Sequence, residues 1–432
     1  MNRKACIFFL LTILLSGTYE HAEAQFWKKW FGKKEQQHKR KPVQHKKVEP
    51  VTKTKPPEKK RREIEYPASR LKSRYRVDVL AALYLDDLVK NDKPVYKDKI
   101  PEKALQGMDF YQGIQLAADT LNEKGYDIDV YVHDITDPSQ TPEALIKNKT
   151  LDSSDLIIGA LQSHEIPSVA AFAKKHEINF VSALSPSDGG IKENPYFILM
   201  QPTLQAHCEW ITKHITQKYR NQNVTLYYRT SASLDDLVYH YLNSDDSSVQ
   251  YKKILCNNAP DKKQLEKLFD STRTNVIVMS IMDIGYAEAL LKQLYELFPA
   301  YHFEVYGMPS WRTMPSLRKP DAYPNVAIDI TAPFYFDLSM PADQELDRNY
   351  KKEFGGNASE LVYRAYETMV WYSYLLRRYG TIFDNKFNDN KEAPFTKFEI
   401  KPKRDKEDNL LYNENRHICL FKYQSSSYMV EQ

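Results

Sequence analysis

The chain has 432 residues and a formal net charge of +4, but this charge is divided unevenly. Residues 25–76 carry 19 Lys and Arg against 5 Glu, a net of +14. Because residues 1–24 are neutral overall, residues 77–432 carry −10. A basic arm therefore precedes an acidic body. No segment of that body is apolar enough to span a bilayer, which argues against an integral membrane protein.

The N-terminus has the pattern of a secretory signal peptide over residues 1–24. A short basic region is followed by an apolar run of ten residues, 6–15, and by Ala22-Glu23-Ala24 before Gln25. The run is too short for a membrane span, and no cysteine stands at the cleavage point, so a bacterial lipoprotein anchor is not expected. The sequence predicts cleavage after Ala24 and export to the periplasm.

Residues 25–74 are expected to form a disordered basic linker, because almost no apolar residue follows Phe31 in a stretch rich in Lys, Gln, Pro and Glu. Four aromatics beside lysines at the mature N-terminus suit peripheral attachment to anionic lipid or to an anionic wall polymer, namely Phe26, Trp27, Trp30 and Phe31. A solvated linker with incidental aromatics is the alternative. Nucleic acid is not an expected partner of an exported protein.

The body begins with alternating strand and helix patterns. Residues 77–85 predict a strand, and Phe110, Ile114 and Leu121 mark an amphipathic helix that ends at Gly125 before a strand at 128–132. Next, LIIGALQS and INFVSALSP each end an apolar strand in small polar residues, with a helical pattern between them. The carboxyl ends of such buried parallel strands open into a crevice, where loops offer hydroxyls and backbone groups.

Further strand patterns at 224–228, 249–255, 276–282 and 303–306 alternate with helices. This length of alternation is too great for one sheet of ordinary size, so the sequence predicts two α/β lobes in succession. Near the C-terminus, FTKFEIKPK and RHICLFKYQ flank a polar loop like a hairpin.

In this order the elements resemble the type I periplasmic binding protein family, which includes the leucine/isoleucine/valine-binding proteins and the ligand-binding domains of related receptors. The matching segments begin at Tyr75 and are MDFYQGIQLAADTLNEKG, DLIIGALQS, NFVSALSP, NPYFILMQPT, NVIVMSIMD, FEVYGMPSW and ELVYRAYETMVWYSYLL. The resemblance implies two Rossmann-like lobes, joined by three crossovers, that close on a small molecule. It places residues 75–203 and 329–380 in the first lobe, and 204–328 and 381–432, with the C-terminal hairpin, in the second.

The resemblance also implies which loops hold an amino-acid-like ligand. They carry Gln162, Ser163, Ser182, Ala183 and Ser185 in the first lobe, and Asp283, Ser310 and Trp311 in the second. Each has an alternative: Ser182 and Ser185 cap a turn, Asp283 caps a helix, and Trp311 packs. Glycines expected in these loops are missing, for Ala160 and Leu161 follow Gly159. The pocket is therefore either repurposed or closed.

Nothing in the sequence predicts catalysis. Dinucleotide, phosphate-loop, nucleophile-elbow and zinc motifs are missing, so we expect no enzyme, cofactor or metal site. His207 beside Cys208 is interpreted as coincidence on a helix. The three mature cysteines, Cys208, Cys256 and Cys419, are expected to be buried, unpaired thiols, and a Cys256–Cys419 bridge within the second lobe is the alternative.

Two functional hypotheses follow from these patterns. The first is a protein that binds a small polar solute, amino-acid-like or a short peptide, for a transporter or a sensor subunit. The second is a non-catalytic envelope scaffold that binds a cell-wall synthesis protein or wall polymer, as in the outer-membrane activators of peptidoglycan synthases. The basic arm and the altered loops favour the second hypothesis, whereas the base rate of the resembled family favours the first.

If the arm is a disordered cationic tether, limited proteolysis should remove it while the body from about Tyr75 resists. Its binding to anionic vesicles or wall polymer should weaken as salt rises, because exposed charges are screened over about 8 Å at physiological ionic strength. Vesicle co-sedimentation across a salt series measures this, and a protease-resistant arm or salt-independent binding would contradict the hypothesis.

Overall fold

The computed structural model describes residues 64–431 except 92, 97–99, 221, 245–248, 320–321 and 425–426. The predicted signal peptide and residues 25–63 of the predicted linker lie outside the described residues. The strands are β1 (Tyr75–Ala81), β2 (Val89–Lys90), β3 (Lys93–Pro94), β4 (Ile128–Asp134), β5 (Leu156–Ala160), β6 (Asn179–Ser182), β7 (Phe197–Leu199), β8 (Val224–Tyr228), β9 (Tyr251–Leu255), β10 (Thr274–Met279), β11 (His302–Gly307), β12 (Val326–Ala332), β13 (Ile400–Arg404), β14 (Leu410–Asn415), β15 (Cys419–Gln424) and β16 (Ser427–Glu431).

The helices surround these strands. They are α1 (Leu85–Leu88), α2 (Glu102–Glu123), α3 (Pro142–Lys147), α4 (Ile166–His176), α5 (Leu204–Lys218), α6 (Ser233–Leu242), α7 (Lys262–Glu266), α8 (Ile284–Leu297), α9 (Pro341–Phe354) and α10 (Glu360–Tyr379), with 3-10 turns at Thr150–Ser153, Pro309–Thr313 and Pro315–Arg318. Within the described part of the chain, none of them is both long and apolar enough to cross a membrane.

The first lobe is built on a sheet of seven strands in the order β13-β14-β7-β6-β5-β1-β4. Its central strands are parallel and buried on both faces, so they need helices above and below. α2 and α10 cover one face together. A Cβ added to Gly113 of α2 would lie 2.3 Å from the carbonyl oxygen of Val362 on α10. Only glycine therefore allows these two helices to approach so closely.

The second lobe repeats this plan with a sheet in the order β16-β15-β12-β11-β10-β8-β9. Strands β8 to β12 are parallel, and β15 and β16 add antiparallel pairs at one edge. The chain passes between the lobes three times: between β7 and α5, between β12 and α9, and between β14 and β15. This confirms the predicted two-lobe α/β architecture.

The C-terminal segment differs from its predicted assignment. Residues 381–432 were assigned to the second lobe as one hairpin, but β13 pairs with β14, and β14 lies parallel to β7 in the first-lobe sheet. Only β15 and β16 extend the second sheet. β12 likewise stays in the second sheet to Ala332, beyond the predicted boundary at 328. A strand pattern does not reveal which sheet edge accepts the strand, and here Asn415 Nδ2 holds β14 to the first lobe through the Met200 carbonyl, at 3.1 Å.

The ordered body also begins earlier than predicted. Residues 64–74 were expected to belong to the disordered linker, yet they pack on the first lobe. Ser69 Oγ donates to the carbonyl oxygen of Tyr379 at 2.6 Å, and the Thr381 amide donates to the carbonyl oxygen of Arg70 at 3.1 Å. Hydrogen bonds to residues so distant in sequence give no local signal, which explains the error.

A charge network lies within the second lobe beneath α5. Glu304 Oε1 accepts from Lys218 Nζ at 3.0 Å and from Lys422 Nζ at 2.7 Å, while the Lys422 ammonium lies 3.8 Å from Asp329. Burial opposes ionisation of both carboxyls. The two ammonium groups nevertheless hold the pKa of Glu304 below its ordinary value, whereas burial holds the pKa of Asp329 above it. Ionised Glu304 therefore depends on two ammonium groups inside the lobe, of which Lys422 makes the shorter contact.

Replacing Lys422 by Met should lower the free energy of unfolding by roughly 3–5 kcal/mol near neutral pH, because it removes the shorter ammonium contact of buried, ionised Glu304. Since ionised Glu304 stabilises the fold above its unfolded pKa, the loss should shrink as the pH falls below about 4.3. Urea unfolding across this range measures it. Lys401→Met, which breaks an exposed pair with Glu399, should change stability by at most about 1 kcal/mol. Equal effects of the two substitutions would contradict this account.

Candidate functional site

The candidate site is the cleft between the lobes, at the carboxyl ends of the parallel strands. The loops after β5 and β6 carry the predicted first-lobe residues, and the loops after β10 and β11 carry the second-lobe residues. In open α/β sheets, ligands bind at this edge because the strand ends leave a crevice between loops.

The first-lobe hydroxyls bond mainly to one another. The hydroxyl oxygens of Ser163 and Ser187 are 2.8 Å apart, and Ser185 Oγ accepts from the Ser187 amide at 3.1 Å. The Gln162 amide donates to Glu165 at 2.6 Å. The structure therefore brings Ser163 and Ser185 together through Ser187, and part of their hydrogen-bonding capacity is already used.

Ser182 and Ala183, at the end of β6, have hydrogen bonds that differ from those of the other first-lobe loop residues. Ser182 is fully buried, and its hydroxyl has no hydrogen-bond partner among the described residues. The Ala183 amide donates to Gly159 at 2.9 Å, and its carbonyl oxygen accepts from Arg364 Nη2 at 3.4 Å. At the end of β6, the unbonded hydroxyl of Ser182 is therefore followed in the chain by the Ala183 carbonyl, which faces Arg364.

The predicted second-lobe residues are engaged within their own lobe. Asp283 caps α8 by accepting from the Tyr286 amide at 2.7 Å, and Ser310 Oγ donates to the Met282 carbonyl at 3.0 Å. Trp311 is fully buried and donates from Nε1 to the Ile281 carbonyl at 2.7 Å. Asp283 therefore caps a helix and Trp311 packs in the core, as the alternative interpretations of the sequence expected. Both residues, with Ser310, lie near the end of β10.

Two arginines that the sequence interpretation did not select occupy the junction of the lobes. Arg312, in the loop after β11, lies 2.7 Å from Glu360 at the start of α10, an ion pair between the lobes. Its guanidinium carbon is 5.7 Å from the Phe334 ring centroid, and that of Arg364 is 4.1 Å from the same centroid. Phe334, in the second crossover, therefore contacts a guanidinium from each lobe.

Arg364 is buried together with Glu367 on α10. Its side chain is 2% exposed, and its Nε lies 3.7 Å from Glu367 Oε1. Neither Nε nor Nη1 makes a hydrogen bond within the described residues. Burial lowers the pKa of Arg364 and raises the pKa of Glu367 to about 7. Most residues of α10 are buried, and a charged pair within its largely aromatic and aliphatic sequence was the signal that could have found this site.

The crossovers beside the cleft are tied to one another. His207 Nδ1 and Thr331 Oγ1 are 2.9 Å apart, and Glu414 accepts from the Thr203 amide at 2.9 Å. Burial, assisted by Arg416, lowers the pKa of His207 to about 3, so this imidazole is neutral. No cluster of three metal-ligating side chains occurs among the described residues. Cys208, Cys256 and Cys419 are buried free thiols.

Trp311 depends on a glycine for its position. A Cβ added to Gly307 would lie 2.1 Å from Trp311 Cε3, whereas one added to Gly285 would meet nothing closer than 3.6 Å. Gly307→Ala should therefore destabilise the protein by about 1–3 kcal/mol through overpacking. Gly285→Ala should be neutral or slightly stabilising, because alanine favours the helix. Urea unfolding of the two variants compares them, and equal stabilities would disprove the packing role of Gly307.

No protein-family model and no curated protein sequence matches the chain. Among solved structures, a putative branched-chain amino acid ABC transporter from Rhodospirillum rubrum aligns with a TM-score of 0.60 at 12% identity, over 83% of this chain and 100% of that one. A branched-chain amino acid ABC transporter periplasmic ligand-binding protein from Burkholderia xenovorans LB400 aligns with a TM-score of 0.54 at 12% identity, over 83% and 95%.

Full-length LpoA from Haemophilus influenzae is also similar, with a TM-score of 0.53 at 12% identity, over 85% of this chain and 60% of LpoA. Identities this low establish the fold alone. The alignments with the transporter proteins cover 83% of this chain, and their TM-scores are 0.60 and 0.54. The chain therefore has the two-lobe fold of the type I periplasmic binding proteins.

Proposed function

We propose that this chain is an exported, non-catalytic binding protein that holds a small polar solute between its lobes, for a transporter or a sensor subunit. The solute class is amino-acid-like or a short peptide. Structural similarity to branched-chain amino acid transporter proteins supports solute binding. The N-terminal sequence supports export to the periplasm, and the basic arm supports peripheral attachment to anionic lipid or wall polymer.

One observation carries this proposal: loops from both lobes converge on one point between them. The Ala183 carbonyl at the end of β6 accepts from Arg364, the guanidinium of Arg364 packs on Phe334, and Arg312 from the loop after β11 contacts the same ring. A solute at this junction would touch both lobes at once. That arrangement allows binding to favour the closed state over the open one, which ligand-driven closure requires.

The ion pair between Arg312 and Glu360 fits this closing motion. It joins the second lobe to the first at 2.7 Å, and each of its side chains is about one-fifth exposed. Opening the lobes would separate the pair. A partly exposed ion pair contributes little net stability, so it can break and re-form without blocking exchange of the solute.

A scaffold role is the second candidate, and the second-lobe loops favour it. Asp283, Ser310 and Trp311 already bond within their lobe, and the fold is also similar to LpoA. In this alternative the same surfaces bind a cell-wall synthesis protein or wall polymer, and the cleft holds no solute.

The proposal predicts that some member of a panel of amino acids, short peptides and wall fragments stabilises the chain in a thermal-shift screen. A ligand at 100 times its Kd should add about 2.7 kcal/mol. Small-angle scattering should show that the same ligand compacts the protein. If the panel gives no shift, and a pull-down through the body recovers a wall-synthesis protein, the scaffold role is correct.

Ser182→Ala should weaken binding of that ligand by roughly 1–3 kcal/mol, because a buried polar group of the solute would lose its partner. Stability of the free protein should change little, since the Ser182 hydroxyl has no hydrogen bond to lose. Ser373→Ala is the matched control. Ser373 is also fully buried with an unbonded hydroxyl, but it lies far along α10. Equal affinity of both variants would remove Ser182 from the site.

A further inference from the structure

Two guanidinium groups pack on one aromatic ring at the junction of the lobes. Arg364 comes from the first lobe and Arg312 from the second, and their guanidinium carbons lie 4.1 Å and 5.7 Å from the Phe334 centroid. Arg312 also lies 5.0 Å from the Phe421 centroid in β15. Cationic groups from both lobes therefore meet at the apolar ring of Phe334.

The carboxylates nearby do not fully satisfy Arg364. Its only described hydrogen bond is the 3.4 Å contact from Nη2 to the Ala183 carbonyl, and Nε and Nη1 donate none. Glu367 Oε1 lies 3.7 Å from Arg364 Nε, beyond hydrogen-bond distance, and part of the acceptor capacity of Glu367 is taken up by the Thr396 amide, which donates to Oε2 at 3.3 Å. Burial raises the pKa of Glu367 to about 7, so near neutral pH this carboxyl neutralises Arg364 only in part.

Such a group is expensive to bury without partners. A buried charged donor that lacks hydrogen bonds carries a desolvation penalty, which a bound anion would relieve. Guanidinium is also suited to this task, because its planar donors match the two oxygens of a carboxylate. The unbonded nitrogens lie on a residue that touches the loop after β6, where the solute is proposed to bind.

We propose that Arg364 and Arg312 form an anion subsite at the junction of the lobes, which binds the carboxylate of an organic acid. The inference rests on the proposed solute-binding function and adds the charge class of the solute. Arg364 supplies the buried donors. Arg312 closes over the anion from the second lobe and stays paired with Glu360.

An ammonium group would be placed less well than a carboxylate at this subsite. Glu360 and Glu367, the carboxylates beside it, face Arg312 and Arg364. Asp337, which lines a cavity together with Arg312, already accepts from the Ser339 amide. A ligand carboxylate would gain two guanidinium partners, whereas an added ammonium group would lie close to the same two positive charges. The arrangement therefore favours an acid without an amino group over a zwitterionic amino acid of the same carbon skeleton.

Calorimetric titration of the full-length chain tests this with acetate, isocaproate and glutarate, each beside its own amide, and with L-leucine, which is isocaproate with an added ammonium. At least one acid should bind, and its amide should bind at least about tenfold more weakly, because charge-assisted hydrogen bonds are lost. If isocaproate is the acid that binds, it should also bind more tightly than L-leucine.

Arg364→Gln and Arg312→Gln should each weaken binding of that acid by about tenfold or more. Arg76→Gln is the matched control. The Arg76 side chain is 23% exposed, against 20% for Arg312, and it is likewise paired with a carboxylate and close to an aromatic ring, 4.1 Å from the Tyr131 centroid. Arg76 lies near the start of β1, away from the carboxyl ends of the strands where the site is proposed. It should leave affinity unchanged. If Arg364→Gln does not fold, Arg312→Gln decides the question.

Four results would overturn the subsite. An amide that binds as tightly as its acid, or arginine variants that retain affinity, would refute it while leaving solute binding intact. Binding of L-leucine or of a peptide from the thermal-shift panel, without binding of any acid, would have the same meaning. If no compound of either set binds, the subsite and the proposed solute-binding function fall together.

Discussion

The structure depends on burial of both faces of the central parallel strands in two sheets. Strands such as β5 and β6 are apolar on each side, so helices must cover them and their backbone groups must pair within the sheet. Polar side chains are then concentrated at the strand ends, where the chain leaves the sheet. This constraint places the serines after β5 and β6, and the loops after β10 and β11, at the carboxyl edges of their sheets, and it explains why the same edges form the candidate site in both lobes.

Both lobes satisfy some of the polar groups at these edges and leave others unbonded. In the second lobe, Asp283 caps α8, and Ser310 and Trp311 bond to carbonyls after β10, but the buried Ser280 hydroxyl has no hydrogen bond among the described residues. In the first lobe the same is true of the buried Ser182 hydroxyl and of two nitrogens of Arg364. Unsatisfied buried donors are costly, and their presence at the strand ends and on the helix beside the cleft is a physical reason to expect a ligand there.

The crossovers set how the lobes can move. Hydrogen bonds join the first crossover to the third, through Thr203 and Glu414, and α5 to the second-lobe sheet, through His207 and Thr331. Because burial keeps the His207 imidazole neutral, this contact does not depend on a charge that titrates near physiological pH. The partly exposed pair of Arg312 and Glu360 is the more labile connection. Motion between the lobes should therefore break surface ion pairs while the bonded crossovers bend.

The sequence by itself determined the alternation of strands and helices, the division into two α/β lobes and the strand ends that carry Ser163, Ser182, Asp283 and Ser310, because hydrophobic period and turn residues are local signals. Only the tertiary structure decided which sheet accepts β13 and β14, that residues 64–74 pack on the first lobe, and that Arg312 and Arg364 meet at Phe334. These features depend on contacts between residues far apart in sequence. A buried arginine and an exposed one have the same letter, and only the packing around α10 distinguishes them.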